Sequence, residues 1–149
     1  MPSLLRISEA ASLALHTTVF LAGNPGRPVP AREIATALDV SETHLAKVLQ
    51  RLAKFGLVRS FRGPKGGFVL GRNGDEISLL EIYESIEGPL EANHCLFDVP
   101  ICNGNGCIFG GLLETVDRQV NEYLSETKLS AQTHPQWWVD SNAKTNSQG

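Results

Sequence analysis

Cys95, Cys102 and Cys107 are the only cysteines in this 149-residue chain, and they fall in one short stretch with six and then four residues between them. Asn103-Gly104-Asn105-Gly106 fills the second gap. Thiolates are the usual ligands of iron–sulfur clusters, and glycines let a backbone fold round a bulky inorganic core. Structural zinc generally uses tighter cysteine knuckles, which makes zinc the second choice. Two readings need no metal: three small hydrophobes packed into a core, or redox-active thiols. A Gly-rich polar loop is a poor place to build a core, which weighs against the first of these.

Three thiolates leave a cluster short of a protein ligand unless one iron stays open. Ser12 and His16 lie four residues apart and Glu9 precedes Ser12 by three, so one face of a helix here presents carboxylate, hydroxyl and imidazole. His94, beside Cys95, is the local competitor. A lone helical histidine more often faces solvent or core than a metal, so the residues alone leave Glu9, His16 and His94 open. His94 next to Cys95 is also the one hint of a cysteine nucleophile with a base. Neighbours in sequence seldom form such a pair, and no enzyme is expected.

The elements that must position these groups are legible from periodicity. A first helix is expected from about Ser8 to Leu21, broken by Gly23-Asn24-Pro25-Gly26 and Pro28. Pro30 opens a short helix with Ile34, Ala35 and Leu38 on one face. Asp39-Val40-Ser41 makes a turn, and Ser41 caps a third helix whose Leu45, Val48, Leu49, Leu52 and Phe55 keep helical spacing until Gly56. Two short helices about a tight turn form a helix-turn-helix. The period then changes to two. Leu57 to Phe61 and Gly67 to Leu70 read as strands joined by Arg62-Gly63-Pro64-Lys65-Gly66, a β-hairpin wing. Ser78 with Glu81 forms a capping box ahead of Leu79, Ile82, Tyr83 and Ile86, and Gly88-Pro89 ends that helix. After the cysteines a longer helix is expected from near Ile108, carrying Leu112, Leu113, Val116, Val120 and Leu124. That stripe is too long for a small domain to cover alone, so it is expected to pair with a second copy of itself. Beyond Thr127 only Trp137-Trp138 interrupts a polar, unpatterned stretch, read as a mobile tail.

The fold class is therefore mainly α with a small β wing: a winged helix-turn-helix domain plus a long C-terminal dimerisation helix. The expected divisions are 1–90 for the winged domain, 91–107 for the cysteine-rich loop, 108–128 for the dimerisation helix and 129–149 for the tail. The length suits one domain of this kind with a real core.

Charge divides the chain in the same way. Residues 1–72 hold ten Lys/Arg and four Asp/Glu, a balance of +6, whereas residues 73–149 hold three and twelve, a balance of −9. A basic half suits phosphates even when the whole is acidic. In a helix-turn-helix the second helix lies in the major groove, and its first turns here offer Thr43, His44 and Lys47. Thr43 and His44 can hydrogen-bond a base edge, and Lys47 a guanine or a phosphate. Arg62 and Lys65 sit on a compact wing able to enter the minor groove. An odd cysteine count and an acidic pI argue for a reducing compartment, so a cytoplasmic location is expected. The apolar run Ala11–Gly23 resembles a signal-peptide core, but Glu9 just before it and His16 within it speak against that, and they recur with Ser12 at helical spacing. No other stretch approaches membrane-spanning length, and no membrane partner is expected.

Arg62-Gly-Pro-Lys-Gly-Gly-Phe after a helix-turn-helix, then Ile77-Ser-Leu-Leu-Glu-Ile and a three-cysteine loop, resembles the IscR/NsrR family of bacterial winged-helix regulators. The resemblance covers residues 5 to about 128. It implies a homodimer on a palindromic double-stranded DNA operator, with the long helix crossing to the partner and the first helix of one subunit near the cluster loop of the other. It also implies that Arg62 enters the minor groove while Thr43, His44 and Lys47 meet the major groove. The six-then-four cysteine spacing departs from the near-even spacing of the nitric-oxide and cluster-assembly members. Alignment puts Ser12 where a nitric-oxide sensor of the family has an aspartate ligand, and His16 where a redox sensor has a histidine ligand. Serine is a poor iron ligand, so His16 from the partner subunit is the expected completion, Glu9 the reserve, and the cluster either 2Fe–2S or 4Fe–4S. The expected function is transcription regulation, with DNA affinity set by a cluster that senses redox state, nitric oxide or iron supply. The alternative is a metal-free repressor of the same fold that responds through thiols or a small molecule.

Overall fold

Ser8 begins the first helix, α1 (Glu9–Ala22), by accepting the Ala11 N–H on its side-chain oxygen at 3.0 Å. The computed structural model describes residues 7–91, 95–97, 99–102 and 106–132. α1 buries Ala11, Leu13, Ala14, Thr17, Thr18, Phe20 and Leu21, positions on several sides of the helix, because it packs against most of the other elements. It is the central post of the domain rather than an amphipathic surface helix.

The second helix, α2 (Ala31–Leu38), ends at Asp39 in the left-handed region, with φ 54°. Aspartate is one of the few side chains that tolerate this conformation, and it lets Val40 donate its N–H to Ala35 O at 3.0 Å. The third helix, α3 (Glu42–Lys54), starts at Ser41, whose hydroxyl accepts the His44 N–H at 3.1 Å. Ile34 and Ala35 of α2 and Leu45, Val48, Leu49 and Leu52 of α3 close on one core with α1. The helix-turn-helix is thus present with the expected cap and apolar spacing.

Strands β1 (Val58–Phe61) and β2 (Gly67–Leu70) pair antiparallel, Val58 opposite Leu70 and Phe61 opposite Gly67. Val29, fully buried between α1 and α2, adds a short third rung: it donates to Phe68 O at 2.9 Å and accepts from Phe68 N at 2.8 Å. The glycines of the wing follow from this closeness. A Cβ on Gly66 would stand 2.2 Å from Phe61 O, and one on Gly67 would stand 2.4 Å from the Val29 carbonyl carbon. Backbone atoms cannot step aside as side chains do. Gly67→Ala is therefore expected to break the rung between Val29 and Phe68 and to lower stability by about 2 kcal/mol or more. A urea unfolding midpoint shared with the native chain would show that the wing accommodates the methyl group after all.

The fourth helix, α4 (Leu79–Glu87), carries the full capping box: Ser78 Oγ accepts the Glu81 N–H at 3.2 Å and Glu81 Oε2 accepts the Ser78 N–H at 3.0 Å. Burial opposes ionisation of Glu81, but the Ser78 N–H and the Arg72 guanidinium outweigh it and hold the carboxyl below its usual range. Ser8 at the head of α1 donates its hydroxyl to Glu87 at the end of α4, tying the two helices together.

The last helix, α5 (Leu112–Glu126), begins four residues later than the sequence suggests. Cys107 O accepts the Gly110 N–H and Phe109 O accepts the Leu112 N–H, each at 3.0 Å, so residues 108–111 form turns around a Gly110 of φ 55° before the helix starts. Of its apolar stripe Leu124 alone is buried; Leu113 and Val120 are half-buried, and Leu112, Val116 and Tyr123 are exposed. The expected start of a tail at residue 129 is corrected. Leu129–Gln132 forms a 3-10 turn, Leu129 is fully buried, and its N–H donates to Ile77 O at 2.9 Å. With the Leu79 N–H donating to Thr127 O at 3.0 Å, this antiparallel bridge about Ser78 and Lys128 brings the chain back into the core after α5. Trp137 and Trp138 lie outside the described residues.

Candidate nucleic-acid interface and cysteine loop

α3 presents its polar side to solvent. Glu42, Thr43, Lys47, Gln50 and Lys54 are exposed, opposite the buried Leu45, Val48, Leu49 and Leu52. His44 is placed differently from its neighbours: it is half-buried and lines a cleft toward α1. One residue along a helix turns a side chain about 100°, which takes His44 off the face shared by Thr43 and Lys47.

Arg62 and Lys65 are exposed on the wing, as the sequence suggested, and Arg59 on β1 joins them. Two ion pairs occur among the described residues, Arg27–Glu33 at 2.6 Å and Arg72–Glu81 at 2.5 Å, and neither involves a cation of α3 or the wing. The hydrogen bond from Arg27 holds the Glu33 carboxyl below its ordinary range. Lys47, Lys54, Arg59, Arg62 and Lys65 have no carboxylate partner among the described residues, and this leaves a cationic surface for phosphates. Arg51 serves structure instead: its Nε donates to Ser85 O at 2.9 Å and its guanidinium lies 5.9 Å from the Phe55 ring centre. Arg59 and Lys54 were not singled out from the sequence, although the alternation of β1 and the helical period of α3 place both outward.

The second cluster of chemistry lies along α1. Glu9, Ser12 and His16 line a cleft of about 700 Å³ whose other wall includes Leu38, Val40 and His44. His16 Nδ1 lies 2.6 Å from Ser12 O, the contact of an imidazole held by its Nδ1–H. Metal-bound histidines are commonly oriented by such a bond to a carbonyl, with the other nitrogen as the ligand atom. The expected grouping of Glu9, Ser12 and His16 on one face is therefore what the helix produces.

Cys95, Cys102 and Cys107 form no disulfide with one another, and each is half-buried. Among the described residues, no three His, Cys, Asp or Glu side chains stand close enough together to hold a metal ion. No cysteine lines the cleft that holds His16. His94, Asn103, Gly104 and Asn105 lie outside the described residues. The loop carries unusual apolar exposure, with Ile101 at 79% and Ile108 at 90%, next to the exposed stripe of α5. Among the described residues no helix is long and apolar enough to cross a membrane.

The family model described as Rrf2, iron-dependent transcriptional regulator, matches residues 7–134. The HTH-type transcriptional regulator IscR of Sodalis glossinidius is 28% identical over 127 residues, 85% of this chain and 77% of its own length. Among solved structures, CymR, the global cysteine regulator of B. subtilis, superposes with a TM-score of 0.75 and 29% identity over 89% of this chain and 99% of that one. T. potens IscR gives 0.67 and 26% over 85% of each chain. The match extends from the winged domain through the cysteine loop and α5.

Proposed function

Because this chain belongs to the Rrf2 family of transcriptional regulators, we propose that it is a cytoplasmic homodimer whose hold on a palindromic operator follows the state of an iron–sulfur cluster. The observation that carries the reading is the pairing of three half-buried cysteines, not cross-linked to one another, with a separate cleft that collects Glu9, Ser12 and His16. The donor chemistry fits a cluster, since the cysteines are not cross-linked and the Nδ1 bond of His16 to a backbone carbonyl is of the kind that orients metal-bound histidines. A bound cluster would supply a centre that reacts with oxidants and nitric oxide. Cys95, Cys102 and Cys107 would hold it on one subunit and His16 on the other, so that α1, which packs on α3, feels whether the ligands are engaged. A change in that engagement alters DNA affinity only if the two states differ in how they set the recognition helices.

On the operator, Thr43 and Lys47 take the major groove and Arg62 and Lys65 the minor groove. His44 is the weakest of the expected base contacts, because it is half-buried beside α1. A second reading, a metal-free regulator responding through its thiols, is favoured by the absence of a gathered ligand group among the described residues. It also draws on the likeness to a global cysteine regulator.

Purification without oxygen separates the two. The cluster reading expects coloured protein containing iron and sulfide, with specific affinity for an enriched palindrome that falls steeply as salt rises, because phosphate contacts release counterions. Half-sites about 34 Å apart are expected. Arg62→Ala should weaken binding about tenfold and flatten the salt slope by about one. Colourless protein with intact thiols and full operator binding would overturn the cluster reading and leave the metal-free one, responding through thiols or a small molecule.

A further inference from the structure

We propose that Gln50 is a base-reading residue of the recognition helix, with the chemistry to select adenine. Viewed down α3 at about 100° per residue, Lys47, Gln50 and Lys54 all fall within about 40° of Thr43, while His44 stands about 100° away. Thr43, Lys47, Gln50 and Lys54 are all exposed, and His44 is not. Gln50 therefore lies nearer the centre of the outward face than His44, and its amide has no hydrogen-bond partner among the described residues.

Its neighbours sharpen the assignment. Lys47 and Lys54 flank it one turn to either side, and neither has an ion-pair partner among the described residues, so two cations are available for phosphates. A neutral amide between them adds little to phosphate binding. It has instead the donor and acceptor pair that meets adenine N7 and N6 together, a two-bond match that no other base offers in the major groove. Thr43 and Gln50 lie about 10 Å apart along the axis, close to three base-pair steps of about 3.4 Å. The base read by Gln50 should then lie about three positions from the one beneath Thr43.

The test uses the full anaerobically purified chain and a random duplex pool, with Gln50→Ala and Gln50→Glu beside the native protein. The native chain should enrich adenine at one position in each half-site. Gln50→Ala should lose preference there alone, binding the native site about tenfold more weakly with an unchanged salt slope and thermal midpoint. Gln50→Glu should move the preference to cytosine, whose amino group a carboxylate accepts. Replacing that adenine by 7-deazaadenine should weaken the native protein by a similar factor and leave Gln50→Ala unaffected, a readout independent of how the variants fold. An unchanged profile for Gln50→Ala, or a uniform loss with a shallower salt slope, would overturn the assignment while leaving sequence-specific binding intact. Failure of the native chain to enrich any sequence would overturn both.

Discussion

Replacing Val116 by glutamate is expected to convert the protein from dimer to monomer and to weaken operator binding by about a hundredfold or more. Leu112, Val116 and Tyr123 all face solvent in the single chain, and the adjoining loop leaves Ile108 exposed as well. Exposed apolar side chains grouped in this way are what an association site offers, and in the proposed homodimer a helix that matches itself across a two-fold axis is the simplest way to cover them. A carboxylate at the centre of that contact would be buried without a partner. Val116 is 43% exposed within the chain, so the substitution should leave the winged core folded. Two linked half-site readers owe much of their affinity to the link, which typically multiplies binding by about 10² to 10⁴. Sedimentation and operator titration on the same sample decide the matter. A variant that remains dimeric would move the interface off α5, and a native chain that is monomeric yet binds a palindrome tightly would remove the need for one.

Local rules made most of this architecture readable, and the exceptions have identifiable causes. Ser41 and Ser78 each cap the helix they precede, because a hydroxyl one turn from an orphan N–H needs no tertiary help. The wing was legible because its glycines stand where backbone meets backbone. Leu129 was not, since one apolar residue in a polar stretch has no period, and its burial depends on Ile77, distant in sequence. The late start of α5 follows from Gly110 and Gly111, which weaken helix just after Ile108, where the apolar spacing begins. In the site, helical spacing gave Glu9, Ser12 and His16 one face and gave Thr43 and Lys47 another. It did not reveal that His44 would turn toward the first of these groups, because that depends on how α1 crosses the helix-turn-helix. The distances between the cysteines are less legible still, since spacing along a loop without regular structure fixes none.

The largest effect is expected from mixing subunits. If a cluster joins the cysteines of one chain to His16 of the other, a heterodimer of a His16→Ala chain and a chain with Cys95, Cys102 and Cys107 all changed to alanine retains one complete site. If ligation stays within a chain, it retains none. Among the described residues, the cleft holding His16 is lined by α1, its lead-in, and the helix-turn-helix, and by no cysteine, which favours the crossed arrangement. The heterodimer should therefore carry about half the iron and sulfide of the native dimer, whereas the triple-alanine homodimer should carry none, since thiolates are the principal ligands. The His16→Ala homodimer should bind less cluster or show an altered visible spectrum, because the cluster loses a protein ligand. Iron and sulfide assays with visible absorbance on tag-separated heterodimers provide the measurement. No cluster in the heterodimer would place the ligands on one chain, and a His16→Ala homodimer with an unchanged spectrum would pass the role to Glu9, His94 or solvent.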